Sequence, residues 1–180
     1  MKMFLSKDVE FDYITVGRNI AQNIDLENFE LHQESINSAF SDVDIEGKEI
    51  ITVQLIEDIL AEGDYVKQYG LESFYIKHNL SEFTIEQLLK ITHEDISSLV
   101  NEEEFNNIPP NEKLMLLKAI EINKNFLDHS NPDFQAKDGE YMALYGCVGQ
   151  FLGTIIAPGI GTAVGNLVGI AVGAILDEVK

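Results

Sequence analysis

Residues 141–176 read YMALYGCVGQFLGTIIAPGIGTAVGNLVGIAVGAIL and contain no charged side chain. Eight of the 13 glycines of the chain lie in this stretch. Residues 1–140 hold 11 of the 12 basic residues and 29 of the 31 acidic residues, and the 180-residue chain carries a formal charge of −19. The sequence therefore divides into an acidic body and an uncharged, glycine-rich tail.

The glycines of the tail recur at helical spacing. Gly161, Gly165, Gly169 and Gly173 repeat every four residues, which places them in one stripe along a helix. In water each such glycine costs about 1 kcal/mol of helix stability relative to alanine. In lipid the same stripe lets two helix backbones approach closely and gain packing. The stripe predicts a membrane segment; the alternative is a soluble Ala/Gly hairpin packed on the body or on another chain.

The length of the tail bears on its topology. A bilayer core of about 30 Å needs about 20 helical residues, whereas residues 141–176 as one helix would measure about 54 Å. Ala157-Pro158-Gly159 is a natural break near the middle. We predict a helical hairpin with arms 141–157 and 160–176, and a single tilted, kinked span is the alternative. The residues predicted to pack or to pair within the membrane are Gly149, Gly153, Gly161, Gly165, Gly169, Gly173, Gln150 (with Thr154) and Asn166 (with Thr162).

The glycine repeat resembles the glycine-zipper segments of bacteriocin-like and other membrane-disrupting proteins. That resemblance implies membrane association and a toxin-like, pore-forming action. Tyr141 and Tyr145 would then lie at the membrane interface.

The body is predicted to be mostly helical. Ser81 before an apolar stretch predicts a helix start, and Pro109-Pro110 predicts the start of a long helix that runs to about Phe126. The short run Ile50-Ile-Thr-Val fits a strand or a helix equally well, because so few residues show no clear periodicity.

Residues 70–99 read GLESFYIKHNLSEFTIEQLLKITHEDISSL. The order of a GL pair, an aromatic residue, a leucine pair and an LTxEDL-like string resembles the sterile alpha motif (SAM) domain, and residues 110–120 resemble its fifth helix. His78 replaces a usual aromatic residue, and another small helical bundle is the alternative. The core residues implied by this reading are Leu88, Leu89, Ile96, Leu99, Leu114, Leu117 and Ile120.

The SAM resemblance implies association with a second copy or with another protein. The acidic surface would consist of Glu82, Glu86, Glu94 and Asp95, and the opposing surface of Asn111, Lys113 and Lys118. Glu112 is expected to weaken the second surface, so a heterotypic SAM or basic protein partner is as good a prediction as self-association. The strong negative charge argues against nucleic acid, which basic side chains must neutralise.

Residues 40–55 have a weak, degenerate resemblance to an EF-hand loop. Asp42, Asp44 and Glu46 are alternate oxygen donors, and Gly47 stands at the turn. One extra residue follows Gly47, so Gln54 takes the place of the bidentate glutamate, or Val53 without that shift, and a neutral amide does not supply two anionic oxygens. We therefore predict no metal site, with these three carboxylates as weak candidates, and a solvated acidic turn instead.

Catalytic patterns are not apparent in the sequence. The four histidines lack paired ligand spacing, and Cys147 is the sole cysteine and lies in an apolar run. We predict a non-enzyme without cofactors, made in the cytoplasm, that becomes membrane-associated through its C-terminal segment. The predicted all-α organisation is an N-terminal helix-loop-helix over 1–56, a SAM-like bundle over 57–129, a linker over 130–140 and a hydrophobic hairpin over 141–177.

Overall fold

A computed structural model describes residues 11–25, 27–93, 102–129 and 140–178. These residues form helices, turns and loops without a strand, which confirms the predicted all-α class. The predicted linker lies outside the described residues except for its last position. The helices are α1 (Tyr13–Gln22), α2 (Gln33–Ala39), α3 (Val53–Tyr69), α4 (Leu71–Lys77), α5 (Glu82–His93), α6 (Glu102–Asn107), α7 (Pro110–His129), α8 (Glu140–Ile156) and α9 (Ile160–Glu178).

Side-chain caps fix several helix starts. The Ser81 hydroxyl accepts a hydrogen bond from the Thr84 backbone N–H at 3.3 Å, so α5 begins where the sequence predicts. The Thr52 hydroxyl accepts one from the Leu55 N–H at 3.2 Å and starts α3. In the ambiguous run from Ile50 to Val53, Ile50 is therefore the last residue of a 3-10 turn and Val53 is the first residue of α3.

The tail forms the predicted hairpin, and the hairpin packs on the body. The chain reverses between α8 and α9, and the two helices contact each other along their length. α9 also packs against α1, α3 and α7, and α8 packs against α3 and α7. Residues 161–174 are buried without interruption. The hairpin packed on the body, named above as part of the alternative, is thus the arrangement that this structure has.

Two hydrophobic clusters share the hairpin. The first cluster joins α1, α2 and the start of α3 to α9, with Ile59, Val164 and Leu167 fully enclosed. The second cluster joins the end of α3 to α4, α5 and α7, and Val148 and Phe151 of α8 complete it. α8 therefore lies between the two clusters. Both clusters of the described residues include side chains from the hairpin, the most apolar segment of the chain.

One part of the predicted core is wrong. Leu114 and Leu117 are 47% and 51% exposed, while Met115 and Leu116 of the same helix are buried. The run Leu114-Met-Leu-Leu117 offers an apolar residue to either face of α7, and contact with α5 and α8 selects the other face. Leu88 and Ile120 are buried as predicted and Leu89 is half-buried, whereas Ile96 and Leu99 lie outside the described residues.

Candidate functional site

The contact between α8 and α9 is made by backbone atoms. A Cβ atom added to Gly149 would collide with the carbonyl oxygen of Gly165, and one added to Gly165 would collide with that of Gly149. Gly153 and Gly161 form a second reciprocal pair nearer the turn. Gly169 and Gly173 lie equally close to the backbone of Tyr145 and Tyr141. All six glycines predicted to pack in a membrane thus lie in one interface, within a single chain.

Three polar side chains of the hairpin, Thr154, Thr162 and Asn166, bind partners within the hairpin. The Thr154 and Thr162 hydroxyls lie 2.7 Å apart across the two helices, and Thr154 also donates to the Gln150 carbonyl at 2.7 Å. The Asn166 amide donates to the Gly146 carbonyl at 3.2 Å. Thr154, Thr162 and Asn166 therefore bond across the hairpin, and Thr154 also bonds back along α8 to the backbone of its predicted partner Gln150. None of these bonds reaches the body.

The turn of the hairpin satisfies its own backbone. Gly159 adopts a left-handed φ of 86°, which an L side chain disfavours. The Gly159 N–H donates to the Thr162 hydroxyl at 3.1 Å, and the Ala157 N–H donates to the Gly153 carbonyl at 3.0 Å. The Gly161 N–H donates to the Ala157 carbonyl at 2.6 Å. The turn therefore satisfies three of its own backbone N–H groups without water.

Three isoleucines at this turn are exposed. Ile155 is 61% exposed, Ile156 is 53% exposed and Ile160 is 41% exposed. We call these residues the isoleucine tip. The glycine repeat gives them no separate role, so sequence reasoning missed them, although an apolar pair directly before Ala-Pro-Gly is a signal that the sequence does contain.

The body covers the hairpin at two close contacts. A Cβ atom on Gly17 of α1 would lie 3.2 Å from the Ile170 Cβ of α9, and Gly63 of α3 lies against the Tyr145 ring. The Lys67 Nζ lies 4.9 Å from the centre of the Tyr141 ring. A hydrogen bond to Tyr145, and secondarily one to Asp64, raises the pKa of the Lys67 ammonium above its usual value. Tyr145, predicted to lie at a membrane interface, is buried in this structure.

One helix among the described residues is long and apolar enough to cross a membrane. This helix is α9, and 72% of its apolar window is buried inside the protein. α8 is also apolar but shorter. A core helix of a soluble protein passes the same test of length and composition, so α9 by itself is weak support for membrane association.

The predicted association residues lie on α5 and α7. Glu82 and Glu86 are exposed beside a groove of about 730 Å³ between α4 and α5, and Glu86 pairs with Lys90 at 2.9 Å. On α7, Asn111 is exposed, Lys113 and Lys118 are half-exposed, and Lys118 pairs with Glu121 at 2.9 Å. Glu94 and Asp95 lie outside the described residues. The exposed Leu114 and Leu117 lie on the same face of α7 as the two lysines.

Glu112 does not belong to that surface, contrary to the sequence expectation. Its side chain is 4% exposed and points between α5 and α7. Its carboxylate accepts hydrogen bonds from the Ser81 N–H at 3.1 Å, from the Ser81 hydroxyl at 2.6 Å and from the Thr84 hydroxyl. The carboxylate is held by the Ser81 cap of α5, so the charges on the exposed face of α7 are Lys113 and the Lys118–Glu121 ion pair.

The other candidate residues are not brought together as a site. Gly47 has the left-handed φ of a sharp turn, at 87°. Asp42, Asp44 and Glu46 nevertheless belong to no cluster of three or more potential metal ligands within the described part of the chain. His78 is a half-buried residue that ends α4, 3.2 Å from a Glu62 oxygen and against the Phe74 and Phe151 rings.

Comparisons with protein-family models, with curated proteins and with solved structures give no match for this chain. The SAM, EF-hand and glycine-zipper resemblances therefore stay predictions from the sequence, and any functional proposal has to start from the geometry of the hairpin.

Proposed function

We propose that this protein is a non-enzymatic, membrane-associated effector that stores a glycine-zipper hairpin in its fold and inserts it into a bilayer to permeabilise it. One observation carries the proposal. The hairpin has no charged side chain over 141–176, and Thr154, Thr162 and Asn166 all bond within it. The hairpin can therefore leave the body as a unit without losing these bonds, and gives up only the contact of Lys67 with Tyr145 and Tyr141 among the polar contacts described above.

For the hairpin, insertion exchanges one apolar environment for another, while the body loses the hairpin residues of both clusters. The outer face of α9 is covered by apolar side chains of α1 and α3, and lipid tails would replace them. The inner face is glycine against backbone, a contact that lipid does not weaken. The arms, of 17 and 19 residues, measure about 26 Å and about 28 Å, close to the thickness of a bilayer core.

Association of the body would bring hairpins together. The acidic residues on α5 and the lysines on α7 lie on separate surfaces, each of which also holds an ion pair, Glu86–Lys90 and Lys118–Glu121. A contact between such surfaces on two copies does not close on itself and builds an open assembly. Assembly raises the effective concentration of the attached hairpins, so weak contacts in lipid become effectively intramolecular.

A reversible lock tests insertion directly. Gly17→Cys with Ile170→Cys, in a Cys147→Ala background, places two thiols where the Cβ atoms lie 3.2 Å apart, near the separation of a disulfide. Asp12 and Arg18 flank the α1 position, so an oxidised lock holds α9 to a helix that does not enter lipid. Dye release from phosphatidylcholine vesicles is measured with and without reductant, and the unlocked Cys147→Ala protein is the control for reductant.

The expected result is dye release by the reduced protein and at least about tenfold slower release by the oxidised protein, since a covalent bond must break before the hairpin leaves. Equal release from both redox forms contradicts insertion of the hairpin. No release from the native chain over a range of lipid ratios contradicts the proposal as a whole. A chain that ends before α8 is not a suitable control, because the hairpin is part of both hydrophobic clusters.

A second candidate function is a protein-interaction adaptor, membrane-anchored or soluble, that makes no pore. The exposed face of α7 favours it, because Leu114 and Leu117 are half-exposed beside Lys113 and Lys118 while Glu112 is turned inward. Leucines next to lysines fit an acidic, partly apolar surface on a partner.

Sedimentation of the native chain and of a Leu114→Ser, Leu117→Ser variant separates this function from the first. Loss of a concentration-dependent assembly in the variant, together with intact vesicles at every concentration of native protein, favours the adaptor. An unchanged sedimentation profile rules out this face of α7 as a contact between copies.

A further inference from the structure

The isoleucine tip differs from the other exposed apolar residues in where it lies. Ile155, Ile156 and Ile160 surround the Ala157-Pro158-Gly159 turn, at the end of the hairpin that is remote from the rest of the chain in sequence. The other large exposed apolar side chains of the described residues lie on charged helices or loops of the body.

We infer that the isoleucine tip is the surface that first binds a lipid bilayer, an inference that rests on the proposed insertion of the hairpin and names the place where it begins. Part of the polar cost of this contact is already met within the turn. The turn supplies the partners of its Ala157, Gly159 and Gly161 N–H groups itself, at 3.0, 3.1 and 2.6 Å. These three groups therefore lose no hydrogen bond to water when the tip enters the interface.

The arms behind the tip are uncharged as well. From the turn outward, they contain no charged residue before Glu140 on one side and Asp177 on the other. The Ile160 side chain lies against Gly47 of the body, but the hairpin itself has no charge that opposes deeper entry. A binding site for a soluble partner is ordinarily surrounded by a polar rim. Continuity with the uncharged arms therefore favours lipid over a protein as the occupant.

The absence of tryptophan from the chain allows a direct test of contact. Ile156→Trp places a single fluorophore on the tip, and Ile76→Trp places one on α4 of the body, at a position of similar exposure, 53% against 58%. Each protein is titrated with phosphatidylcholine vesicles, with and without brominated acyl chains, at a concentration where sedimentation shows a monomer.

We expect the emission of the Ile156→Trp protein to shift to the blue and to be quenched by brominated lipid, and that of the Ile76→Trp protein to stay unchanged. Binding is tested separately with Ile156→Ser and Ile76→Ser by vesicle flotation. Replacing one isoleucine that enters lipid lowers the partition coefficient by about tenfold, and the body variant leaves it unchanged.

Three results overturn the inference. Vesicle binding by the native chain with an unshifted tip fluorophore removes the tip from the contact and leaves hairpin insertion by another route intact. Loss of a dimer in the Ile156→Ser protein shows that a second copy covers the tip instead. Failure of the native chain to bind vesicles removes the proposed function and the inference together.

Discussion

The α8–α9 contact and the α5–α7 contact both join two helices, but the first is made by glycines and the second by large side chains. In the first, six glycines bring the two backbones into direct contact. In the second, large side chains such as Leu116 fill the space, and Glu112 fastens the helix start through hydrogen bonds. The difference teaches that the hairpin is fixed in its inner geometry, while the rest of the body is able to repack around a change.

The largest expected effect comes from enlarging the glycine interface. Gly165→Leu drives a side chain into the Gly149 backbone, which a rotamer change does not relieve. We expect loss of the cooperative fold, because the hairpin supplies both clusters and a domain has a margin of only about 5–15 kcal/mol. Circular dichroism and thermal unfolding measure the loss.

Gly146→Ala is the control within the same hairpin. Its Cβ atom would meet the Ile170 Cγ1 at 3.1 Å, a flexible side-chain atom rather than backbone. We expect a stability change of at most about 1 kcal/mol, because a better helix former offsets mild crowding. A Gly165→Leu protein as stable as this control would contradict the rigid picture of the α8–α9 contact.

A smaller effect is expected from the side-chain interface. Leu116→Ala removes a fully buried side chain of α7 and leaves a space that its neighbours partly fill. We expect a loss of about 2–5 kcal/mol with the fold retained, measured by urea unfolding. Leu117→Ala, on the exposed face of the same helix, is the matched control and should change stability by less than about 0.5 kcal/mol. Similar losses in both variants would show that the two faces of α7 are wrongly assigned.

The smallest expected effect is the pH dependence of stability that arises from one buried tyrosine in each cluster. Burial raises the pKa of Tyr13 in the first cluster, with a smaller contribution from Glu121. Burial also raises the pKa of Tyr75 in the second cluster, with a smaller contribution from Cys147. Both rings are held neutral in the fold, so their stabilising effect is complete below the ordinary tyrosine pKa of about 10 and is lost as the pH rises toward the folded pKa.

Stability should therefore fall above about pH 10, by up to about 1.4 kcal/mol per pH unit for each buried ring. Tyr13→Phe and Tyr75→Phe each remove one contribution, and the remaining slope shows which cluster limits stability in alkali. Urea unfolding between about pH 9 and pH 11 measures the slopes. A Tyr75→Phe protein with the slope of the native chain would mean that this ring is not protected by the fold.

Local features of the chain were predictable for local reasons. The Ser81 cap, the long helix after Pro109 and the two arms around Ala157-Pro158-Gly159 depend on residues within a few positions of each other. The contact of the six glycines was predictable too, because two arms joined by a short turn have few neighbours to choose from.

Features that depend on distant residues were not predictable in this way. The apolar run of α7 permits two faces, and only its contacts with α5 and α8 decide that Leu114 and Leu117 are exposed. Glu112 is buried because Ser81 and Thr84, about 30 positions earlier, offer it donors. Neither the spacing of residues nor the composition indicates that Glu112 contacts Ser81 and Thr84.

The sequence by itself determined that residues 141–176 form two uncharged helices with a glycine contact between them, since the residue types and a helical repeat are enough to specify it. The tertiary structure alone decided which surfaces cover the outer faces of those helices. Apolar surface gains free energy from any cover that excludes water, so the same hairpin suits α1 and α3 or a bilayer, and its sequence does not choose between them. In this fold the body covers the arms and leaves the isoleucine tip uncovered.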